Sequence, residues 1–136
     1  MMISSFIIQM FVMSGIMTNS YKNITFSLGK FYMSVIMALL MGLLEVLMYD
    51  NHMNTKSVYY YLSLGFLLVI FIYLYRNQIY IDDKDFLKEM IEHHSMALLT
   101  SEEILQKTNS ERVKKLAENI ILTQEKEIEY MKELIK

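Results

Sequence analysis

The feature that most constrains this 136-residue chain is the uneven distribution of its charged side chains. Only three lysines, Glu45 and Asp50 precede Arg76, and every other charged side chain lies from Arg76 onward. The first part consists of long apolar runs, each near the roughly 20 residues that an α-helix needs to cross ~30 Å of hydrocarbon. Because lipid offers no partners for backbone groups, we expect these runs to be helical. The chain therefore changes its surroundings near residue 76.

Three runs are predicted to span a membrane, over residues 1–17, 31–49 and 57–75. The last has no charged side chain, and tyrosines cluster toward both of its ends, as in interfacial belts. Proline is absent and only four glycines occur, so little interrupts a helix. We predict an integral, multi-pass membrane domain over 1–76 that contacts lipid. Its first run is expected to be a retained anchor and not a cleaved signal peptide, because no basic side chain precedes Lys22.

From residue 82 onward the apolar pattern becomes amphipathic at helical spacing. The stripe of a first helix comprises Phe86, Leu87, Met90, Ile91, His94, Ala97, Leu98 and Ser101. The stripe of a second helix comprises Val113, Leu116, Ala117, Ile120, Ile121, Ile128, Met131 and Ile135. Two such helices joined by a short loop predict an antiparallel helical hairpin over 82–136. The predicted fold class is therefore all-α, with transmembrane helices followed by an amphipathic hairpin.

Local signals predict where the hairpin helices begin and end. Asp82 or Asp83 can cap the first helix, which is expected to end near Lys107. Thr108 and Glu111 have the spacing of a capping box for the second. One hairpin buries little apolar surface, so we expect it to pair with a second copy into a four-helix bundle, forming a homo-oligomer. Docking against the membrane-side ends of the same chain is the alternative.

One turn of the first hairpin helix carries Met90, His93 and His94, with Met96 one turn further on. Imidazole and thioether ligands together suit Cu(I) better than Zn(II), Mg(II) or Ca(II). With the loop near residue 109, positions 90–94 lie across from roughly 124–128. The groups expected there are Gln124, Glu127 and, one turn on, Met131. The sequence therefore brings imidazoles and thioethers together as a candidate metal site.

A structural role for the same residues stays open. A His-His pair on a helix is often a surface or core-lining feature, and Gln124 could bond His94 across the hairpin. Glu89 and Glu92 are expected to lie on a solvated helix face.

The residues of this hairpin resemble a known family. The string FLKEMIEHHSMA over 86–97 is followed by Leu116-Ala117, Ile120, Gln124, Glu127-Ile128 and Met131. This pattern resembles the ferritin-like helical family catalogued as domain of unknown function 305, over residues 82–135. The resemblance implies a ferritin-like hairpin and a membrane-tethered member, and some secreted members of the family bind copper. It implies Met90, His93, His94 and Met131 as metal ligands, with Gln124 and Glu127 as supporting polar groups.

The side of the membrane that the hairpin faces is left open. Many soluble members of the family act outside the cytoplasm, and the resemblance therefore implies an extracytoplasmic hairpin. A count of basic residues weakly favours the cytoplasm. The stretch after the third predicted span carries Arg76, Lys84 and Lys88, whereas the loop between the second and third spans carries only Lys56.

Several function classes are disfavoured. Cysteine is absent, so there is no thiolate metal site and no cysteine nucleophile. The chain has no zinc-protease motif, nucleophile elbow or phosphate-binding loop, and we predict that it is not an enzyme. A net charge of −2 does not favour a nucleic-acid partner. The leading prediction is a membrane-anchored protein of copper binding or homeostasis. The alternative is a non-catalytic membrane scaffold whose hairpin mediates oligomerisation.

The second predicted span carries a stripe of methionines on one side, with one acidic residue in it. The stripe comprises Met33, Met37, Met41, Glu45 and Met48. An ionisable residue at this depth often marks a functional site. The functional hypothesis is that the methionines form a thioether ladder that passes Cu(I) toward the hairpin. The favoured interpretation is that methionine packs adaptably between helices and that Glu45 reaches the interface or is protonated.

Overall fold

A computed structural model describes all 136 residues of the protein. It is all-helical, with 84% of the residues in helices and no strand. The helices are α1 (Met2–Met17), α2 (Leu28–Met53), α3 (Val58–Arg76), α4 (Asp83–Lys107) and α5 (Glu111–Ile135). Part of α1, Ile8–Val12, is π-helical, and Tyr21–Asn23 form a 3-10 turn. The predicted all-helical class is confirmed, whereas the ferritin-like four-helix bundle remains a prediction.

The chain divides into two compact units, and each is assembled from two separate stretches of sequence. The first comprises Met1–Val12 and Leu28–Ile81, and the second comprises Met13–Ser27 and Asp82–Lys136. The apolar pattern grouped residues 13–27 with the membrane domain, whereas in the structure they pack with the hairpin. We call the segment Met13–Ser27 the strap.

Two helices of the first unit, α2 and α3, are long and apolar enough to cross a membrane. Helix α2 extends beyond the predicted span 31–49 at both ends, and α3 agrees with the predicted span 57–75 to within a residue. No residue of α3 is buried in the protein. Helix α1 is shorter, about 24 Å at 1.5 Å per residue, so the first predicted span remains a prediction.

The turn between α2 and α3 is closed by the carboxylate of Asp50. It accepts hydrogen bonds from the backbone N–H of Ser57 at 2.7 Å, from the Ser57 hydroxyl at 2.7 Å and from the Thr55 hydroxyl at 2.9 Å. Asp50 is buried. The residues that link two apolar helices thus satisfy one another's polar groups, as a tight turn between them requires.

The N-terminal part of α1 lies against α2 at a glycine. A Cβ atom at Gly42 would lie 2.6 Å from the sulfur of Met2, so a larger residue there would require the flexible Met2 side chain to shift. Glu45 lies near the same place, with its carboxylate 3.5 Å from the amino group of Met1. The methionine stripe of α2 is not uniformly buried, because Met37 and Met48 are exposed. The predicted thioether ladder therefore remains a prediction.

The two hairpin helices begin and end almost where the sequence predicts. Asp82 caps α4, since its carboxylate accepts a hydrogen bond from the backbone N–H of Asp85 at 2.7 Å. The helix ends at Lys107, as expected. The predicted capping box is wrong, because Thr108 accepts a hydrogen bond from the N–H of Ser110, at 3.2 Å, and Ser110 is itself the N-cap position of α5. The loop residue thus bonds within the loop and not to the helix.

The core of the hairpin is small and formed by both helices. Its buried members are Ile91, Leu98, Ile128 and Met131, and the residues packed against them are Leu87, Met90, Ile121 and Ile135. Most of this core was predicted from the apolar stripes. Val113 and Leu116, also in the predicted stripe, are exposed, and Leu116 retains 59% of its accessible surface. The part of the hairpin near its loop therefore leaves apolar side chains uncovered.

Candidate functional site

The imidazole of His94 lies in the seam between α4 and α5, where its side chain is only 19% exposed. Its Nδ1–H donates to the backbone carbonyl of Met90, one turn earlier, over 2.8 Å. Its Nε2 lies 2.7 Å from a carboxylate oxygen of Glu127 on α5. The carbonyl can only accept, so Nδ1 carries a proton and Nε2 is the ring nitrogen that can change partner. The contacts at its two ring nitrogens therefore fix the orientation of the imidazole.

This pairing agrees with the predicted register of the hairpin. Residues 90–94 were expected across from 124–128, and the contact of His94 with Glu127 lies inside that range. The hydrogen bond proposed between His94 and Gln124 is not the one formed, because Glu127 takes that place. A single helical turn separates the two α5 residues, and Glu127, the more exposed of the two, is the one that contacts the ring.

His93, the next residue, has different surroundings. Its Nε2 lies 3.7 Å from a carboxylate oxygen of Glu89 on the same helix, and its side chain is 51% exposed. The nearby carboxylate of Glu89 raises the pKa of His93 above its ordinary value, and partial burial opposes this effect without cancelling it. The two adjacent imidazoles therefore pair with different carboxylates, one on α4 and one on α5.

The candidate thioethers lie deeper than the imidazoles. Met131 is buried in the hairpin core, and Met90 packs against that core. Met96 and Gln124 are half-buried. Met90 thus takes part twice, since its side chain packs on the core while its backbone carbonyl holds His94. Met90 and His94 lie in the first half of α4, and Glu127 and Met131 lie in the second half of α5, toward the end of the hairpin away from its loop.

No group of three or more His, Asp or Glu side chains in the chain is arranged as a metal site. A metal centre in this hairpin would therefore need thioether ligands in addition to imidazole and carboxylate. The donor set fits a soft ion in part. His94 has the arrangement typical of a ligand, with one ring nitrogen held by a carbonyl and the other directed to the seam, whereas His93 is held at the surface by Glu89.

Sequence reasoning missed a polar network that joins the strap to α4. Glu92 was expected on a solvated face, but its carboxylate accepts hydrogen bonds from the Ser14 hydroxyl, at 3.1 Å, and from the backbone N–H of Thr25, at 2.6 Å. The Thr25 hydroxyl also donates to the backbone carbonyl of Lys88 over 2.6 Å. The expectation for Glu92 is therefore wrong, because the strap covers that side of the helix.

Ser95 is the centre of the same network and is 0% exposed. Its hydroxyl donates to the side-chain oxygen of Asn19 over 2.6 Å and accepts from the backbone N–H of Asn19 at 3.1 Å. It also accepts from the amide of Asn23 at 3.2 Å. Asn23 starts an Asn-Ile-Thr sequon, yet its side chain is buried and engaged in these bonds. The only signal in the sequence is the polar run from Thr18 to Asn23 after an apolar helix.

These features define a class of small all-helical proteins, with two apolar helices of membrane-spanning length and an amphipathic hairpin that displays a His-His pair. Residues 78–135 match the family described as "Domain of unknown function (DUF305)", and the chain belongs to that family. The resemblance stated for residues 82–135 is therefore confirmed.

The similarity to one relative extends beyond the hairpin. The chain is 33% identical over 135 residues to "Uncharacterized protein L153" of Acanthamoeba polyphaga mimivirus. The aligned region covers 99% of this chain and 88% of that protein. The apolar helices are thus included in the alignment with the relative. No solved structure matches the chain.

Proposed function

We propose that this protein is anchored in a membrane by α2 and α3. The observation that supports anchoring is α3, an apolar helix of 19 residues without a buried residue. In water such a helix would expose a continuous apolar surface, whereas in lipid its surface is matched to its surroundings. The helix has no charged side chain before Arg76. An integral protein of this kind remains in the membrane fraction after extraction with alkaline carbonate, and release into the supernatant would contradict the proposal.

The hairpin of the anchored protein is proposed to bind a soft metal ion, Cu(I), through His94. The single observation that carries this proposal is the fixed imidazole, whose Nδ1–H is bonded to the Met90 carbonyl while Nε2 points to α5. A metal-ligating histidine usually donates its other ring N–H to a carbonyl or a carboxylate, as His94 does to the Met90 carbonyl. Neutral imidazole beside thioethers favours Cu(I) over harder ions.

The residues that would hold the ion are His94, with Met90 and Met131 as thioether donors. Glu127 would be a supporting group whose carboxylate contacts Nε2 of His94 when no ion is bound. His93 would join only after leaving Glu89. This chemistry stores or delivers an ion and includes no catalytic step.

The test is metal analysis of full-length protein purified without a histidine-rich tag and loaded with Cu(I). We expect uptake by the natural sequence, loss of uptake in His94→Ala and a smaller effect in His93→Ala. His52→Ala is the matched control, because His52 is the third histidine of the chain and is exposed at the end of α2. An unchanged number of Cu(I) ions per protein in a His93→Ala, His94→Ala double variant would show that the proposed metal site does not exist.

A second candidate function is a non-catalytic scaffold in which the hairpin pairs with a second copy of the chain. It is favoured by the apolar side chains near the hairpin loop, which one chain leaves uncovered. These are Ile104, Val113 and Leu116. Pairing two hairpins would bury such residues in a four-helix arrangement. This function predicts no response to metal.

The Leu116→Asp variant tests the scaffold function separately from the metal-binding function. The side chain is exposed within one chain, so the charge should leave the fold intact while preventing burial between two copies. We expect a change from oligomer to monomer in detergent, measured by light scattering. Lys115→Asp, at a neighbouring exposed position without apolar contact, is the control. An oligomer that persists in Leu116→Asp contradicts pairing through this surface.

A further inference from the structure

Three lysines from three different elements line one pocket of about 350 Å³ in the hairpin unit. Lys22 lies in the 3-10 turn of the strap, Lys88 on α4 and Lys132 on α5. The other lining residues are Thr25, Phe26, Ile91 and Ile135. No acidic side chain is among the lining residues. Three positive side chains and no acidic one therefore line the pocket over an apolar base, while the nearby carboxylate of Glu92 is bonded to the backbone N–H of Thr25.

The positive charges of the pocket are only partly offset by neighbouring groups. The Lys132 ammonium donates to the side-chain oxygen of Asn23, a neutral partner. The Lys88 ammonium lies 3.9 Å from the Asp85 carboxylate, a long ion pair on one helix. The Lys22 side chain is exposed. Each ammonium has three N–H donors, so donors remain for a bound anion, which would also relieve the repulsion among the lysines.

The apolar base selects among anions. Ile91 is fully buried beneath the pocket, and Phe26 and Ile135 flank it. A phosphate group attached to a carbon skeleton would place its charge on the ammonium groups and its carbons on this base. Phe26 precedes Leu28, the first residue of the apolar helix α2, by only two positions. The strap therefore ends where a membrane helix begins, and lysines beside such helices attract anionic lipid headgroups.

We propose that this pocket binds the phosphate group of an anionic amphiphile, with Lys22, Lys88 and Lys132 on the phosphate. The chemistry is that of a phosphate ester, which a phospholipid headgroup or a free phosphate compound could supply. This inference rests on the membrane anchoring proposed above and is independent of the metal site. Binding would also join the strap to both hairpin helices, since each element contributes one lysine.

The test uses full-length protein in neutral detergent, with native mass spectrometry as the readout. The probes are short-chain phosphatidylglycerol, short-chain phosphatidylcholine and inorganic phosphate. We expect phosphatidylglycerol to be retained in preference to phosphatidylcholine. Competition by inorganic phosphate at similar concentration would identify a free phosphate compound as the source, and lack of competition would identify the lipid. Equal retention of the two lipids would overturn the proposal.

Variants locate the binding in the pocket. Lys22→Gln, at an exposed position, should weaken binding about fivefold, the factor equivalent to ~1 kcal/mol for one basic residue. The triple Lys22→Gln, Lys88→Gln, Lys132→Gln variant should weaken it on the order of 100-fold. The matched control carries Lys107→Gln, Lys114→Gln and Lys115→Gln, with the same change of charge at the other end of the hairpin. If the control loses binding as the triple variant does, or if Lys22→Gln has no effect, the proposal is wrong.

The failure of this proposal and that of the proposed function are distinguishable on the same samples. Carbonate extraction reports anchoring, and Cu(I) analysis reports the metal site. Loss of lipid binding in the triple variant, with anchoring and Cu(I) uptake retained, supports the pocket alone. A natural sequence that stays in the membrane and yet binds neither phosphatidylglycerol nor inorganic phosphate overturns the pocket while leaving anchoring intact.

Discussion

Nε2 of His94 lies 2.7 Å from a carboxylate oxygen of Glu127, across the seam between the two hairpin helices. The other ring nitrogen is bonded to the carbonyl of Met90, which is fixed by the helix itself. The contact with Glu127 is therefore the one that can be exchanged. The contact joins the two helices of the hairpin whose core contains Met131 and has Met90 packed against it.

Glu89→Gln is expected to lower the pKa of His93 toward its ordinary value of 6.5, because the main cause of the raised pKa is removed. NMR titration of the imidazole resonances measures this directly. Glu111→Gln, at the start of α5, should leave the pKa of His93 unchanged. If the pKa does not move in Glu89→Gln, the pairing of His93 with Glu89 is wrong.

The same pair makes a small contribution to the pH dependence of stability. Because the folded pKa of His93 is raised, its contribution is fully present below 6.5 and is lost as the pH rises through the folded pKa. The side chain is half-exposed, so solvent screening limits the effect to roughly 0.3 kcal/mol or less. Denaturant unfolding at acidic and alkaline pH should show a stability difference between the natural sequence and Glu89→Gln only on the acidic side.

Ser95→Ala is expected to loosen the strap, because Asn19 and Asn23 lose their shared buried partner. The cost should be about 1–3 kcal/mol for buried polar groups left without a hydrogen bond. Hydrogen exchange of the Asn19 amide, which is bonded to Ser95, measures the opening. Ser101→Ala is the control, since Ser101 is buried on the same helix and takes no part in these hydrogen bonds. The backbone N–H of Asn19 also donates to the Ser95 carbonyl, at 3.3 Å, which alanine retains. Unaltered protection of this N–H in Ser95→Ala would show that the carbonyl and the other strap contacts hold the strap without the hydroxyl.

Asp50→Ala is expected to destabilise the turn between α2 and α3. Three donors from Thr55 and Ser57 would lose their acceptor, at a cost of about 1–3 kcal/mol. Thermal unfolding in detergent micelles measures the loss. Asn51→Ala, at the exposed next position, should have little effect. A variant at Asp50 as stable as Asn51→Ala would contradict the role assigned to this carboxylate.

The sequence predicted the hairpin well because both helices have continuous apolar stripes and a short polar loop. These two features fix the face and the register, and the pairing of His94 with residues near 127 follows from them. The helices over 31–49 and 57–75 were predictable for a related reason, since long apolar runs with at most one charged side chain leave few alternatives to a helix.

The strap could not be predicted from periodicity. It is held by hydrogen bonds among Ser14, Asn19, Asn23 and Thr25 and side chains of α4, and such contacts depend on three-dimensional position. Glu92 is the clearest example. It occupies a polar position on an amphipathic helix and would be solvated in an isolated hairpin, but a distant segment supplies its donors. The three-lysine pocket follows from the same docking, because Lys22 belongs to the strap.

The most direct test of a metal-binding role for His94 is X-ray absorption at the copper edge, recorded on full-length protein loaded with Cu(I). We expect scattering from one imidazole together with sulfur in the natural sequence, and loss of the imidazole contribution in His94→Ala. A spectrum of the natural sequence without imidazole scattering, or a His94→Ala spectrum identical to it, would contradict the account.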